Sequence, residues 1–144
     1  MIDYTLIQAT NNDFDFAYEL KKVAYREYVQ QTWGWDEAFQ VKFHNENFST
    51  LNTKIIKVDD KSIGTVDVRE GPSNIFVTGL YLLPEYQSKG IGSSIILDLI
   101  KDAEVKGKRL ELEVLRVNTK AQRLYKRLGF TLTEGDDTKF FMYR

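Results

Sequence analysis

Residues 75–106 (IFVTGLYLLPEYQSKGIGSSIILDLIKDAEVK) place a strand, a turn with two glycines and a helix in direct succession. The run at 75–83 is long and mostly apolar, which predicts a strand that is buried on both faces and ends at Pro84. Over 91–106 apolar residues recur at helical spacing, and Gly107 follows at the position of a C-terminal cap. A strand that leads directly into a helix is typical of an α/β domain with parallel strands.

The turn inside this unit, residues 87–92 (QSKGIG), has the features of an anion-binding site. Gly90 and Gly92 let the backbone turn tightly and bring its N–H groups close to a ligand. The following helix supplies unpaired N–H groups and the positive end of its dipole, so a pyrophosphate suits this position. The spacing differs from that of the P-loop and of the dinucleotide fingerprint. Because glycine pairs also occur in turns that bind nothing, the turn alone only suggests a ligand.

Outward from this unit, the patterns predict alternating strands and helices along the whole chain. The predicted strands cover 4–9, 54–58, 62–70, 75–83, 109–115, 130–133 and 139–143, and the predicted helices cover 13–31, 36 to about 45, 91–106 and 119–128. The order is β-α-α-β-β-β-α-β-α-β-β. It predicts one α/β domain over 1–144 with a mixed sheet.

Composition excludes several classes of protein. The 144 residues carry a net charge of −1, no cysteine and a single histidine, His44. A disulfide framework, a thiol nucleophile and a thiolate or histidine-rich metal site are therefore excluded, and we expect no metal. The balanced charge predicts no nucleic-acid partner and no anionic membrane surface. Without an apolar run of spanning length or a signal-peptide layout at the N-terminus, we expect a cytoplasmic protein with no membrane contact.

Two strings of sequence resemble the motifs of a known family. Residues 80–92 (LYLLPEYQSKGIG) resemble the acetyl-coenzyme A motif of the GNAT superfamily of N-acetyltransferases, Q/R-x-x-G-x-G/A after a strand. Residues 112–130 (LEVLRVNTKAQRLYKRLGF) resemble its second motif, L-x-V-x-x-x-N-x-x-A-x-x-L-Y-x-x-x-G-F. The resemblance implies a single-domain GNAT-like α/β fold, in which about four helices flank a mixed central sheet with splayed parallel strands. It also implies an N-acetyltransferase that uses acetyl-coenzyme A as cosubstrate.

The resemblance assigns residues to the cosubstrate site. In the family, the strand before the turn pairs its main chain with the pantetheine arm as though the arm were an added strand; the matching residues are Leu80, Tyr81 and Leu82. Asn118 matches an asparagine that contacts the pantetheine region, although Asn is also a favoured N-cap and a helix begins beside it. The residues that match the pyrophosphate cradle are Gln87, Ser88, Lys89, Gly90, Ile91, Gly92 and Ser93.

Two residues are candidates for the chemistry. Direct attack of an amine on the thioester expels the coenzyme A thiolate, and a nearby hydroxyl can donate a proton to it. Tyr125 matches the tyrosine to which the family assigns this role, although it also lies on the apolar face of its helix. Many relatives carry a general base on the strand at 75–83, but this chain has no acid there. Glu113 is the substitute, because the ribosomal-protein N-terminal acetyltransferases of the superfamily use a glutamate at this offset from the tyrosine; the alternatives are a water chain and a merely solvent-facing Glu113.

The resemblance places the acceptor pocket between the first two helices and the last strands. Its candidate residues are Tyr28, Trp33 and Trp35, since aromatic faces attract a cationic amine. Aromatic residues at helical spacing more often belong to the core, but the two tryptophans flank Gly34 in a predicted turn. His44 is expected on the surface of the second helix.

Three functions remain open at this point. The first is acetylation of a primary amine of a small molecule, such as a polyamine, an amino sugar or an amino acid. The second is acetylation of a peptide N-terminus or a lysine, which the pairing of Glu113 with Tyr125 favours. The third is a non-catalytic acyl-coenzyme A binding module, suggested by the missing acid at 75–83. A homodimer is expected only because dimers are frequent in the family.

Overall fold

The computed structural model describes residues 2–144, which form seven strands and four α-helices. The strands are β1 (Thr5–Gln8), β2 (Thr53–Val58), β3 (Lys61–Glu70), β4 (Asn74–Leu82), β5 (Arg109–Leu115), β6 (Thr131–Thr133) and β7 (Lys139–Tyr143). The helices are α1 (Phe14–Trp33), α2 (Glu37–Asn47), α3 (Ile91–Lys106) and α4 (Thr119–Arg127). In this part of the chain no helix is both long and apolar enough to cross a bilayer.

All seven strands belong to one mixed sheet in the order β1-β2-β3-β4-β5-β7-β6. Only β4 and β5 are parallel; the other neighbours in the sheet are antiparallel. The hairpin between β2 and β3 turns at Asp59 and Asp60, which both have positive φ, as tight hairpin turns require. The predicted α/β fold with a mixed sheet and four helices is confirmed.

The parallel pair separates halfway along its length. Asn74–Val77 of β4 pair with Arg109–Leu112 of β5, but beyond these residues β4, which continues to Leu82, and β5, which continues to Leu115, do not pair with each other. The separation begins at a β-bulge in β4. Val77 pairs with Val68 of β3 and Gly79 pairs with Asp67, so Thr78 has no partner in β3. The prediction that β4 is buried on both faces is wrong: only Ile75 and Val77, on one face, are buried, Thr78 is exposed, and residues 79–82 are partly buried.

Helices α1 and α3 lie on opposite faces of the sheet. The Tyr81 ring packs 5.2 Å from the Tyr25 ring of α1. The side chains of Leu80 and Leu82 lie at the start of α3, where each is 3.9 Å from the position that a Cβ on Gly92 would occupy. Because successive side chains of a strand point to opposite faces, the two helices must cover different sides.

The face of the sheet under α3 carries the main apolar core. Burying each of its large side chains contributes roughly 1.5–3 kcal/mol, so this face holds the start of α3 firmly against the strands. The largest fully buried side chains in this cluster are Ile56, Ile63, Ile75, Ile91, Ile95, Ile96, Leu110, Leu112 and Met142.

Helices α1 and α2 differ from the prediction in two ways, the end of α1 and the burial of His44. Helix α1 extends to Trp33, beyond the predicted end at 31, and stops because Gly34 adopts a φ of 81°. Asp36 then caps α2 by accepting a hydrogen bond from the N–H of Phe39. The expectation of an exposed His44 is wrong: it is 5% exposed, and its Nε2 lies 2.8 Å from the carbonyl oxygen of Phe14 because α2 packs against the start of α1.

Candidate active site

The start of α3 presents free backbone N–H groups beside the open end of β4. The first helical hydrogen bond runs from the N–H of Ser94 to the carbonyl of Gly90, so the three N–H groups of 91–93 have no helical acceptor. Gly90 holds a left-handed φ of 87°, and a Cβ built on it would meet no atom within 4 Å. The space beside Gly90 is therefore open, and free N–H groups at a helix start are suited to a diphosphate by charge and by hydrogen bonding.

A second helix contributes a cation to this turn. Lys120, in the first turn of α4, donates a hydrogen bond from its Nζ to the Oγ of Ser88 at 2.8 Å. Lys89 lies in the same turn, with its Nζ 5.9 Å from the centre of the Tyr86 ring. Sequence reasoning missed Lys120, although a lysine in the first turn of a helix is unfavourable to the helix dipole and could have signalled another role.

The resemblance of residues 80–92 to an acetyl-coenzyme A motif predicts that Lys120→Met raises the KM for acetyl-coenzyme A about tenfold and leaves kcat unchanged, because the substitution would remove a partly exposed charge contact with a phosphate. Steady-state kinetics with varied acetyl-coenzyme A and calorimetric titration with coenzyme A measure this change. Lys101→Met, on the exposed side of α3, is the control and should leave both values unchanged. Equal affinities of the Lys120 variant and the unsubstituted protein would contradict a role in binding the cosubstrate.

Beyond the bulge, β4 turns part of its main chain toward the gap. The N–H of Leu83 donates to the carbonyl of Ile63 in β3, so by strand alternation the main chain of Tyr81 also faces β3. The main-chain groups of Leu80 and Leu82 therefore face the gap on the β5 side. The Gln87 side chain donates to the Leu82 carbonyl at 2.9 Å and ties the turn to the end of the strand.

Tyr125 lies on α4 and is half-buried beside the core. Its ring is 5.7 Å from that of Phe130, and burial raises the pKa of its hydroxyl to about 12. The hydroxyl is therefore protonated at ordinary pH, as a proton donor must be. At the start of the same helix, Asn118 accepts a hydrogen bond from the N–H of Ala121 as an N-cap, and this leaves its amide group as a donor.

A cleft of about 670 Å³ opens between α1, α2 and the sheet. Trp33 and Glu113 line it, whereas Tyr28 and Trp35 do not. Trp35 is held away because its Nε1 donates to the Glu37 carboxylate at 2.7 Å. Tyr28 contacts the cleft only indirectly, with its ring 6.0 Å from that of Tyr25.

Of the two candidate catalytic residues, Glu113 lines this cleft and Tyr125 does not, but both lie near Tyr25. Burial raises the pKa of the Tyr25 hydroxyl, and the nearby Tyr125 and Glu113 raise it further, so the three groups share one region. The Glu113 carboxylate forms an ion pair with the Lys139 ammonium at 3.2 Å. A carboxylate and a protonated hydroxyl thus lie in one region, and these are groups that can accept and donate a proton.

The fold and this site together define an acyltransferase of the α/β class. Residues 14–130 match the model of the acetyltransferase (GNAT) family, and the chain belongs to that family. This confirms the family that the motifs at 80–92 and 112–130 indicated.

Several known proteins are similar to the chain. Thialysine N-epsilon-acetyltransferase from Mus musculus is 32% identical over 122 residues, which cover 75% of this chain and 72% of the mouse protein. The enzyme of the same name from Bos taurus is 42% identical over 72 residues, which are 49% of this chain and only 42% of the bovine protein. The PaiA N-acetyltransferase of Thermoplasma acidophilum, solved in complex with coenzyme A, has a TM-score of 0.80 at 19% identity, and the match covers 99% of each chain. That structure supports the fold.

Proposed function

We propose that this protein transfers an acetyl group from acetyl-coenzyme A to a primary amine of a small molecule, by direct attack of the amine in a ternary complex. The observation that carries the proposal is the separation of β4 from β5 directly beside the free N–H groups of α3. The mouse and bovine relatives are named for acetylation of thialysine, which is a small-molecule amine.

The gap and the turn would hold the cosubstrate. Main-chain groups of Leu80 and Leu82 would pair with the pantetheine arm, and the amide of Asn118 would contact it from the other side of the gap. The N–H groups of 91–93, with Lys89 and Lys120, would bind the diphosphate. Tyr81 contributes its ring to the acceptor cleft.

Acetyl-coenzyme A supplies an activated thioester. Residues of the chain would accept one proton from the amine and donate another to the leaving thiolate. Amines are protonated near neutral pH, so the attacking nitrogen must first lose a proton, and the Glu113 carboxylate would accept it directly or through water. As the carbon–sulfur bond breaks, the Tyr125 hydroxyl would donate its proton to the leaving thiolate. The indole ring of Trp33 would bind the ammonium form of the acceptor by a cation–π contact before the acceptor reacts.

The test follows release of the coenzyme A thiol from acetyl-coenzyme A with a panel of acceptors. The panel contains polyamines, amino sugars and diamino acids, together with short peptides that have a free N-terminus or an internal lysine. We expect release with at least one small amine, at a higher kcat/KM than with any peptide. Binding of coenzyme A without release for any acceptor would contradict the proposal and favour a binding module.

A peptide amine is the second candidate, because the mouth of the cleft is open and apolar. Trp33 and Phe39 line it and are each 57% exposed. Phe43 adds a further aromatic ring, which stacks 6.2 Å from that of Phe39. Exposed aromatic side chains of this kind are typical of surfaces that bind peptides. Release of the thiol with peptides alone would establish this candidate in place of the first.

A further inference from the structure

The Tyr81 side chain folds back along β4 and covers Gly79. A Cβ built on Gly79 would lie 2.7 Å from Cε2, 3.0 Å from the hydroxyl oxygen and 3.1 Å from Cζ of Tyr81, so any larger residue at 79 would displace the ring. The Tyr25 ring of α1 packs against it at 5.2 Å, and the Nζ of Lys21 lies 5.6 Å from its centre. Position 79 has no side chain of its own, and the hydroxyl of Tyr81 takes that place.

This hydroxyl belongs to the acceptor cleft and has no partner in the protein. Tyr81 and Asp67 both line the cleft, and Asp67 lies opposite Gly79 in the β3–β4 pair. Within residues 2–144, no hydrogen bond involves the Tyr81 hydroxyl. Burial is the main cause that raises its pKa well above the usual value, so it keeps its proton near neutral pH. A protonated hydroxyl can donate one hydrogen bond and accept another, so it is free to contact a ligand.

The path of the proposed cosubstrate leads to this hydroxyl. With its diphosphate at the N–H groups of 91–93, the pantetheine arm would pass Leu82 and then Leu80, whose main-chain groups face the gap. An arm on this path runs along β4 toward the bulge. Its thioester end therefore comes to the level of Gly79, where the Tyr81 hydroxyl lies.

Glu113 lies at the same level on the other side of the gap. It follows Leu112, which forms with Val77 the last pair before β4 and β5 separate. Glu113 and Tyr81 line the same cleft. An amine that reaches the thioester from the cleft therefore has a carboxylate on its β5 side and a hydroxyl on its β4 side.

We propose that Tyr81 is a further catalytic residue of the acetyl transfer. Its hydroxyl oxygen accepts a hydrogen bond from the attacking nitrogen and orients the lone pair of that nitrogen toward the thioester carbon. Glu113 accepts the proton that the ammonium form releases, and Tyr81 itself gains and loses no proton. The inference rests on the proposed function and adds a residue to the same site. It also gives β4, which has no acid in this chain, a polar group at Gly79.

Tyr81→Phe removes one oxygen and leaves the ring over Gly79. We expect kcat/KM for the amine to fall about tenfold or more, because the attacking nitrogen loses one hydrogen bond. The KM for acetyl-coenzyme A should stay unchanged, since the substitution leaves the main chain of β4 intact. Thiol release with the amine of the acceptor panel that has the highest kcat/KM measures the change, and calorimetric titration with coenzyme A shows that the variant is folded.

Tyr143→Phe is the matched control for this substitution. Tyr143 lies on β7 with its ring 3.7 Å from the Arg109 guanidinium, and it does not line the cleft. Its loss of a hydroxyl should leave kcat/KM unchanged. A Tyr81→Phe variant that loses affinity for coenzyme A as well would show that the residue supports the structure of the site, and this result would overturn the proposal.

The pH dependence separates the hydroxyl from the general base. A neutral amine still donates a hydrogen bond, so the loss in Tyr81→Phe should be the same from about pH 7 to about pH 10. The loss in Glu113→Gln should shrink over this range, because solvent then takes the proton from the amine. A Tyr81→Phe loss that shrinks in the same way would mean that Tyr81 acts only through Glu113, which contradicts a contact with the nitrogen.

Gly79→Ala moves the hydroxyl by a second route. Its methyl group would displace the Tyr81 ring, so kcat/KM for the amine should fall about as far as in Tyr81→Phe. In the Tyr81→Phe background, Gly79→Ala should have little further effect, because the two substitutions remove the same contact. Losses that multiply would show that the ring, and not its hydroxyl, is responsible, and the proposal would be wrong.

Two kinds of failure have different meanings. If the unsubstituted protein releases the thiol and Tyr81→Phe has the kcat/KM of Tyr143→Phe, the role of Tyr81 is wrong and the proposed function stands. If the unsubstituted protein binds coenzyme A but releases the thiol with no amine, the proposed function and this inference both fail.

Discussion

Tyr125→Phe is expected to lower kcat by about 100-fold or more while the KM for acetyl-coenzyme A changes little, since general acid catalysis typically contributes a factor of 10² to 10⁴. The substitution removes one oxygen and keeps the ring, which packs against Phe130. The loss should therefore concern proton donation rather than the fold. Thiol-release kinetics at saturating acceptor measure it.

The pH profile adds a second criterion for Tyr125. Burial raises the pKa of its hydroxyl to about 12, so the unsubstituted enzyme should show no fall in kcat from Tyr125 ionisation at mildly alkaline pH. Tyr143→Phe is the control, because Tyr143 lies on β7 with its ring against Arg109 and does not line the cleft. A Tyr125 variant with the kcat of this control would show that another group protonates the thiolate.

The unit from β4 to β5 was predictable because local signals mark its ends. Pro84 stops the strand, Gly90 starts the helix from a left-handed conformation, and Gly107 ends it in the same way. Each of these residues acts through its own backbone preference, which is independent of the rest of the fold. The predicted and observed bounds of α3 and β5 are therefore the same.

The set of charged side chains that line the cleft could not be predicted, because these side chains come from elements that are distant in the sequence. Lys21 comes from α1 and Asp67 from β3, and only the packing of that helix over the sheet brings them together. The available signal for Asp67 was its place between Val66 and Val68 in β3. His44 shows the same limit, since its contact with Phe14 and not the pattern of its own helix decides its burial.

The gap between β4 and β5 could not be predicted from the apolar pattern of the strand either. Residues 79–82 are as apolar as the paired half of the strand, and an apolar run alone indicates full burial. The bulge at Thr78 and the end of pairing at Val77 are properties of register. Register depends on both neighbouring strands. The gap was therefore indicated only by the resemblance to a family, and not by the residues of β4 alone.

Glu113→Gln should lower kcat/KM about 100-fold near neutral pH, and the loss should shrink as the pH rises toward the pKa of the acceptor amine, near 10 for a simple primary amine. Above that pH the amine loses its proton to solvent, so a base in the protein is no longer needed. Glutamine keeps the size of the side chain while it removes the ion pair with Lys139.

Glu111→Gln provides the matched control for this prediction. Glu111 lies two residues earlier on the same strand, but it bonds to Asn74 at 2.9 Å and does not line the cleft. Its substitution should therefore leave the pH profile unchanged. A Glu113 defect of the same size at every pH would mean that the carboxylate orients the acceptor and that water removes the proton, because only the loss of a proton acceptor is repaired by raising the pH.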